Sequence, residues 1–96
     1  MIEDEAAFLQ MVGMRIRVLR IRFKLTQERT SKRAGMSRAV LGAFERGEAG
    51  IDAIRLRRLA HALGGTLPAL VAESDEWAPG VHPPAWWEPP DHLTRR

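Results

Sequence analysis

The chain has 96 residues and no cysteine, so it allows one small domain and excludes disulfides and thiolate metal sites. Its net charge of +3 is unevenly distributed: residues 13–72 carry thirteen basic and four acidic side chains, whereas residues 1–12 and 73–96 are both net acidic. A basic body between acidic ends is typical of a module that binds a polyanion. The acidic start and the lack of a long apolar run predict no signal peptide, no membrane span and a cytoplasmic location.

The first predicted helix runs from about Glu3 to Phe23 and is apolar on two sides. One side is expected to pack on later helices, and its residues are Phe8, Val12, Ile16, Leu19 and Phe23. The other side, here called the second stripe, comprises Ala7, Met11, Met14, Val18 and Ile21. The stripe is flanked by Arg15 and Arg22 on one edge and by Arg17 and Lys24 on the other. A helix apolar on two faces needs two partners, so we expect a dimer surface or a docking site for the tail. Scattered exposed apolar residues are the simpler alternative.

Residues 26–47 predict two short helices joined by a tight turn. Thr26 is a suitable N-cap for a helix that runs to about Ala34, and Gly35 is a suitable helix stop. Ser37 then caps a helix that runs to about Glu45 or Arg46, closed by Gly47. Two helices joined by a three- to four-residue turn with a glycine are the helix-turn-helix signature.

Two more helices are expected before residue 72, where the folded domain is predicted to end. Asp52 caps the fourth helix, whose buried face is Leu56, Leu59, Ala60 and Leu63. The pair Gly64–Gly65 ends it. Thr66 caps a short fifth helix that tolerates Pro68 in its first turn.

Residues 73–96 form a compositionally different tail with five of the six prolines and all three tryptophans, Trp77, Trp86 and Trp87. Proline at this density predicts irregular, extended backbone. Tryptophan buries a large area, so a plain disordered tail is disfavoured. The alternatives are that the tail folds back onto the first helix, crosses a dimer, or binds another protein.

The pattern of residues 13–72 resembles the Xre/Cro and lambda-repressor-like helix-turn-helix family of transcriptional regulators. The resemblance is carried by Leu25-Thr26-Gln27-Glu28, Gly35-Met36-Ser37, Leu41, Phe44 and Glu45-Arg46-Gly47, together with Gly13, Ile16 and Leu19-Arg20 upstream and Leu56, Leu59-Ala60 and Leu63-Gly64 downstream. It implies an all-α fold of five helices. It also implies a dimer that binds double-stranded DNA, with the third helix in the major groove.

The resemblance assigns the base-reading positions to Arg38, Ala39, Gly42 and Ala43. Arg38 is the expected main reader, since arginine forms a bidentate pair with guanine O6 and N7. Ala39 and Ala43 could touch thymine methyl groups, and Gly42 allows close approach. This sparse set implies that DNA shape and phosphate contacts carry much of the specificity.

The expected phosphate contacts are Gln27, Arg29, Lys32, Arg33, Ser37 and Arg46, and the resemblance also lets Gln27 brace the first reading residue. It further implies a structural ion pair between Arg20 and Glu45.

The chain departs from most relatives at Thr30-Ser31, which replace Leu-Ala. The Thr30 hydroxyl is expected to bond back to the Thr26 carbonyl. The loop Glu48-Ala49-Gly50 lacks the basic residues that many relatives use on phosphate, and Glu48 would repel DNA if it faced the duplex.

No nucleophile elbow, phosphate-cradling glycine loop or ligand cluster is evident, so neither an enzyme nor a metal or cofactor site is expected. We therefore expect a dimeric transcription regulator, most often a repressor, on a pseudo-palindromic site. The alternative is an antitoxin-like or other interaction module, whose Trp/Pro tail binds a toxin or a component of the transcription machinery. Burial of the tryptophans in the isolated chain would favour the regulator.

Overall fold

A computed structural model describes residues 4–48, 50, 52–73, 77 and 83–90 of the chain. These residues form five helices and no strand, as predicted: α1 (Glu5–Arg22), α2 (Gln27–Ala34), α3 (Arg38–Glu45), α4 (Ala53–Ala62) and α5 (Leu67–Val71). None of these helices is both long and apolar enough to cross a membrane.

Side-chain caps set where the helices begin. Thr26, Ser37, Asp52 and Thr66 each accept a hydrogen bond from the backbone N–H three residues later, which satisfies one of the unpaired donors of a helix start. Asp4 does the same for Ala6, so α1 begins at Glu5 rather than at the expected Glu3. The helix ends at Arg22, and Lys24 takes a positive φ of 58° in the turn that follows.

The helices enclose one apolar core. Its fully buried large side chains come from four helices, and they are Ile16, Leu19, Leu41, Leu59, Leu63 and Leu70. Phe8 and Phe23, predicted on the same face of α1, are only half-buried and pack at the edge of this core.

The described part of the tail packs against its own chain. The indole N–H of Trp77 donates to the Ala69 carbonyl and that of Trp87 to the Leu63 carbonyl, both at 2.8 Å. These carbonyls belong to the last turns of α5 and α4, where a helix leaves acceptors unpaired. Trp77 and Trp87 are buried and meet edge to face at 5.4 Å, whereas Trp86 is 53 % exposed.

Arg15, which flanks the second stripe of α1, is almost completely buried, since only 3 % of this residue is exposed. Its Nη1 donates to the carbonyls of Leu70 and Ala72 at 2.9 and 2.7 Å, and its guanidinium lies 4.4 Å from the Trp77 ring centroid. Burial lowers the pKa of the Arg15 guanidinium from its ordinary value, and nearby Glu73 opposes the shift. Arg15 therefore links α1, the end of α5 and the tail.

Among the described residues, the tail makes its contacts away from the exposed part of the second stripe. Met14 and Ile21 stay exposed, while Met11 and Val18 are half-buried. Where the structure describes the tail, it lies on the Arg15 side of α1 and on the ends of α4 and α5.

Thr30 also departs from expectation. Its hydroxyl is buried and makes no hydrogen bond among the described residues, so the expected bond to the Thr26 carbonyl is wrong. That carbonyl accepts the Thr30 backbone N–H at 3.0 Å instead, as in any helix. The neighbouring Ser31 hydroxyl donates to the Glu28 carbonyl at 3.0 Å.

Candidate DNA-binding surface

The turn between α2 and α3 presents the N-terminal end of α3 to solvent. Gly35 ends α2 with a φ of 70°, a left-handed conformation that glycine adopts at little cost. Ser37 then starts α3, and Arg38 and Ala39 follow as exposed residues of its first turn. Arg38 is thus placed at the end of the helix that contacts base edges in helix-turn-helix proteins.

The other end of α3 is fixed against α1 by a glycine. A methyl group on Gly13 would lie 2.9 Å from the Glu45 carbonyl oxygen and closer still to that of Phe44. Only glycine therefore lets the α1 backbone meet the last carbonyls of α3 at this separation.

A polar network joins the same two helices to α2. Arg20 donates to both Glu45 oxygens, from Nε at 2.7 Å and from Nη2 at 3.0 Å, and its Nη1 donates to the Leu25 carbonyl at 3.0 Å. The amide of Gln27 donates to Glu45 Oε1 at 3.3 Å. Bidentate geometry and near-complete burial of the Glu45 carboxylate make this pair costly to break from one side. The described side-chain hydrogen bond of Gln27 is thus made with Glu45, at the opposite end of α3 from Arg38.

An open groove of about 390 Å³ lies between the starts of α2 and α3. It is lined by Arg20, Thr26, Gln27, Glu28 and Arg38. Two expected DNA contacts, Gln27 and Arg38, therefore lie on one surface. Glu28 is the acidic member of this lining and would oppose a phosphate placed beside it.

The remaining predicted phosphate contacts fall into two groups. Arg29, Lys32 and Ser37 are exposed at the surface of the helix-turn-helix. Arg33 lies elsewhere, on the side of α2 that faces α4, where it lines an open cavity of about 400 Å³ with His61, Glu88 and the Gly64–Gly65 pair. The structure therefore separates Arg33 from the groove that holds Gln27 and Arg38.

Gly42, one of the predicted groove-facing residues of α3, is buried. Arg46 Nη1 lies 3.1 Å from where its Cβ would be. Ala43 is half-buried and Ala39 is exposed. Arg46 in turn pairs with Glu48, the Nε and Oε2 atoms being 2.9 Å apart. Glu48, which would repel DNA if it faced the duplex, thus pairs with a neighbouring cation.

Among the described residues, no group of three or more His, Asp or Glu side chains could hold a metal ion. The side chains on this surface of the helix-turn-helix supply hydrogen-bond donors and positive charges.

The helix-turn-helix family HTH_3 matches residues 16–70 of the chain, more than half of its length. The chain belongs to this family. Its family and fold are those of DNA-binding regulators rather than enzymes. The sequence resemblance over residues 13–72 is thereby confirmed. Among curated proteins, no sequence matches the chain significantly.

Solved structures of regulators align with most of the helical body. The restriction-modification controller protein C.AhdI from Aeromonas hydrophila is 33% identical, with a TM-score of 0.64, over 67% of this chain and 97% of that one. The P22 c2 repressor in complex with a synthetic operator is 28% identical, with a TM-score of 0.61, over 66% of this chain and 96% of that one. An HTH_3 family transcriptional regulator from Vibrio cholerae is 27% identical, with a TM-score of 0.67, over 74% of this chain and 40% of that one.

Proposed function

We propose that the protein is a sequence-specific transcription repressor that binds a pseudo-palindromic operator as a dimer, with α3 of each protomer in the major groove. The observation that carries the proposal is the position of Arg38. It is exposed in the first turn of α3, while Gly13 and the Arg20–Glu45 pair fix the other end of that helix. An arginine presented on a rigid helix fits the bidentate recognition of guanine.

The similarity to a repressor and to a controller protein supports a regulatory role, since both align over nearly their whole length. Two recognition helices about one DNA turn apart would require two copies of this single helix-turn-helix domain. We propose that the second stripe, at Met14, Val18 and Ile21, forms the contact between the copies. It combines two exposed large apolar side chains on one face of α1.

The tail favours the regulator over a module whose tail captures a partner. Trp77 and Trp87 are already buried against their own chain, so a partner would have to displace them. Trp86 is exposed and stacked on Trp87, with ring centroids 6.1 Å apart, and it alone of the three offers an accessible indole.

A selection from a random DNA library with the purified full chain tests the proposal. We expect an enriched two-fold symmetric site with a guanine that depends on Arg38. For about six neutralised phosphates, the logarithm of affinity should fall with the logarithm of salt with a slope of about −5.

Arg38→Ala is expected to lose preference at one base pair per half-site, where discrimination of about 5- to 150-fold corresponds to one bidentate pair. Arg22→Ala removes the same charge from the exposed last turn of α1 and should leave the base preference intact. An unselected pool would refute DNA recognition, and an unchanged preference in Arg38→Ala would refute the assignment of that residue.

A further inference from the structure

Apart from Arg38, the predicted base-reading residues of α3 have no side-chain groups that can form hydrogen bonds. Ala39 and Ala43 have no polar side-chain atoms, and Gly42 has no side chain. Yet Gly42 is buried, and the atom that approaches it most closely is a nitrogen of Arg46. Side chains on a helix lean toward its N-terminus and cover residues one turn back. The guanidinium of Arg46 therefore lies where a side chain of residue 42 would otherwise be.

We propose that Arg46 is a second base-reading residue, and that Gly42 is the gap that lets its guanidinium lie on the groove-facing side of α3. The inference rests on the proposed function and departs from the phosphate contact expected at this position. Its ligand is a guanine edge in the major groove, which arginine binds through two parallel hydrogen bonds.

The pairing of Arg46 with Glu48 favours a base over a phosphate. Their Nε and Oε2 atoms lie 2.9 Å apart, and both side chains are more than half exposed. A phosphate contact depends on net positive charge, which the Glu48 carboxylate cancels locally. A guanine contact depends on the direction of N–H donors, which the carboxylate fixes by engaging one nitrogen of the fork. The Arg46–Glu48 pair is therefore a poor ligand for a phosphate, and its oriented N–H donors suit a guanine edge.

The spacing between Arg38 and Gly42 predicts where the second guanine lies. Four residues of α-helix span about 6 Å, and consecutive base pairs are about 3.4 Å apart. We therefore expect two arginine-dependent guanines in each half-site, separated by roughly two base-pair steps.

The decisive variant is Arg46→Lys, which keeps the charge and removes the planar fork. With the full chain and the library-selected operator, we expect Arg46→Lys to lose about 5- to 150-fold discrimination at one base pair. Its salt dependence and its preference at the Arg38-dependent base should match the wild type. Gly42→Ala should disturb the same base pair, because its methyl group would lie 3.1 Å from Arg46 Nη1.

A different set of results would show that Arg46 contacts a phosphate instead of a base. If Arg46→Lys keeps every base preference, and Arg46→Ala weakens all sequences alike with a salt slope smaller by about one, Arg46 contacts a phosphate and the proposal is wrong. Circular dichroism of each variant verifies that the helices are retained. A wild-type chain that selects no DNA sequence would overturn the proposed function, which is a different outcome from loss of one base preference.

Discussion

Replacing Trp87 by alanine tests whether the tail is a structural part of the domain. Trp87 is 6 % exposed, its indole N–H donates to the Leu63 carbonyl at 2.8 Å, and a methyl group on Gly65 would overlap its ring. The neighbouring Trp86 is 53 % exposed, so Trp86→Ala is a control of the same residue type one position away.

The expected loss follows from the buried area. An indole buries about 150–250 Å², which at about 25 cal/mol per Å² gives roughly 4–6 kcal/mol as an upper estimate. Measured truncations of buried tryptophan cost about 3–5 kcal/mol. Removing Trp86 should cost only its stacking on Trp87, about 0.5–1.5 kcal/mol. Because a domain of this size has a total stability of about 5–15 kcal/mol, the first loss is large and the second is small.

Thermal unfolding followed by circular dichroism is the assay. A difference of at least about 1.5 kcal/mol between the two variants corresponds to a gap of roughly 6–12 °C in Tm. Trp87→Phe keeps an aromatic ring but loses the bond to Leu63, so it should fall between the wild type and Trp87→Ala. Equal Tm values for Trp86→Ala and Trp87→Ala would refute the docking of Trp87.

Three further predictions concern the helical body. Met14→Glu should convert a dimer to a monomer in sedimentation if the second stripe is the interface, whereas Ile54→Glu, at another exposed apolar site, on α4, should not; a dimer retained by Met14→Glu excludes the stripe. Gly13→Ala should weaken DNA binding and lower stability because its methyl group would overlap the end of α3, while Gly50→Ala, with no atom within 4 Å, should change neither in paired titrations and melts. Thr30→Val should raise the free energy of unfolding by about 1 kcal/mol in urea titrations, since it removes a buried hydroxyl that has no partner among the described residues; a destabilised variant would show that the hydroxyl is satisfied.

The elements of the fold were predictable because their signals are local. Each helix starts at a capping residue a few positions from the N–H that it satisfies, and Gly35 marks the end of α2 by its own backbone conformation. The Arg20–Glu45 pair came from the family resemblance, since its partners are 25 residues apart and nothing in either segment alone indicates the contact.

The features that were missed depend on distant contacts. In the sequence Arg15 is only a basic residue beside an apolar stripe, but it bonds to a carbonyl 55 residues away and its guanidinium lies over the ring of a tail tryptophan. The sequence does contain a feature that indicates the burial of Gly42, because an arginine follows it four residues later on the same face of the helix. The groove-facing position of Gly42 stays a prediction; what was missed is that the side chain of Arg46 reaches back over it.

The glycine pair at the end of α4 leaves the space that the tail occupies. Gly64 has a φ of 91°, and a methyl group there would lie 2.9 Å from Pro90 N, while Gly65 forms the flat seat of the Trp87 ring. The family match ends at residue 70, before the tail begins. Grafting this tail onto another helix-turn-helix domain would therefore require both glycines to be transplanted with it, because any larger residue at position 65 would overlap the Trp87 indole.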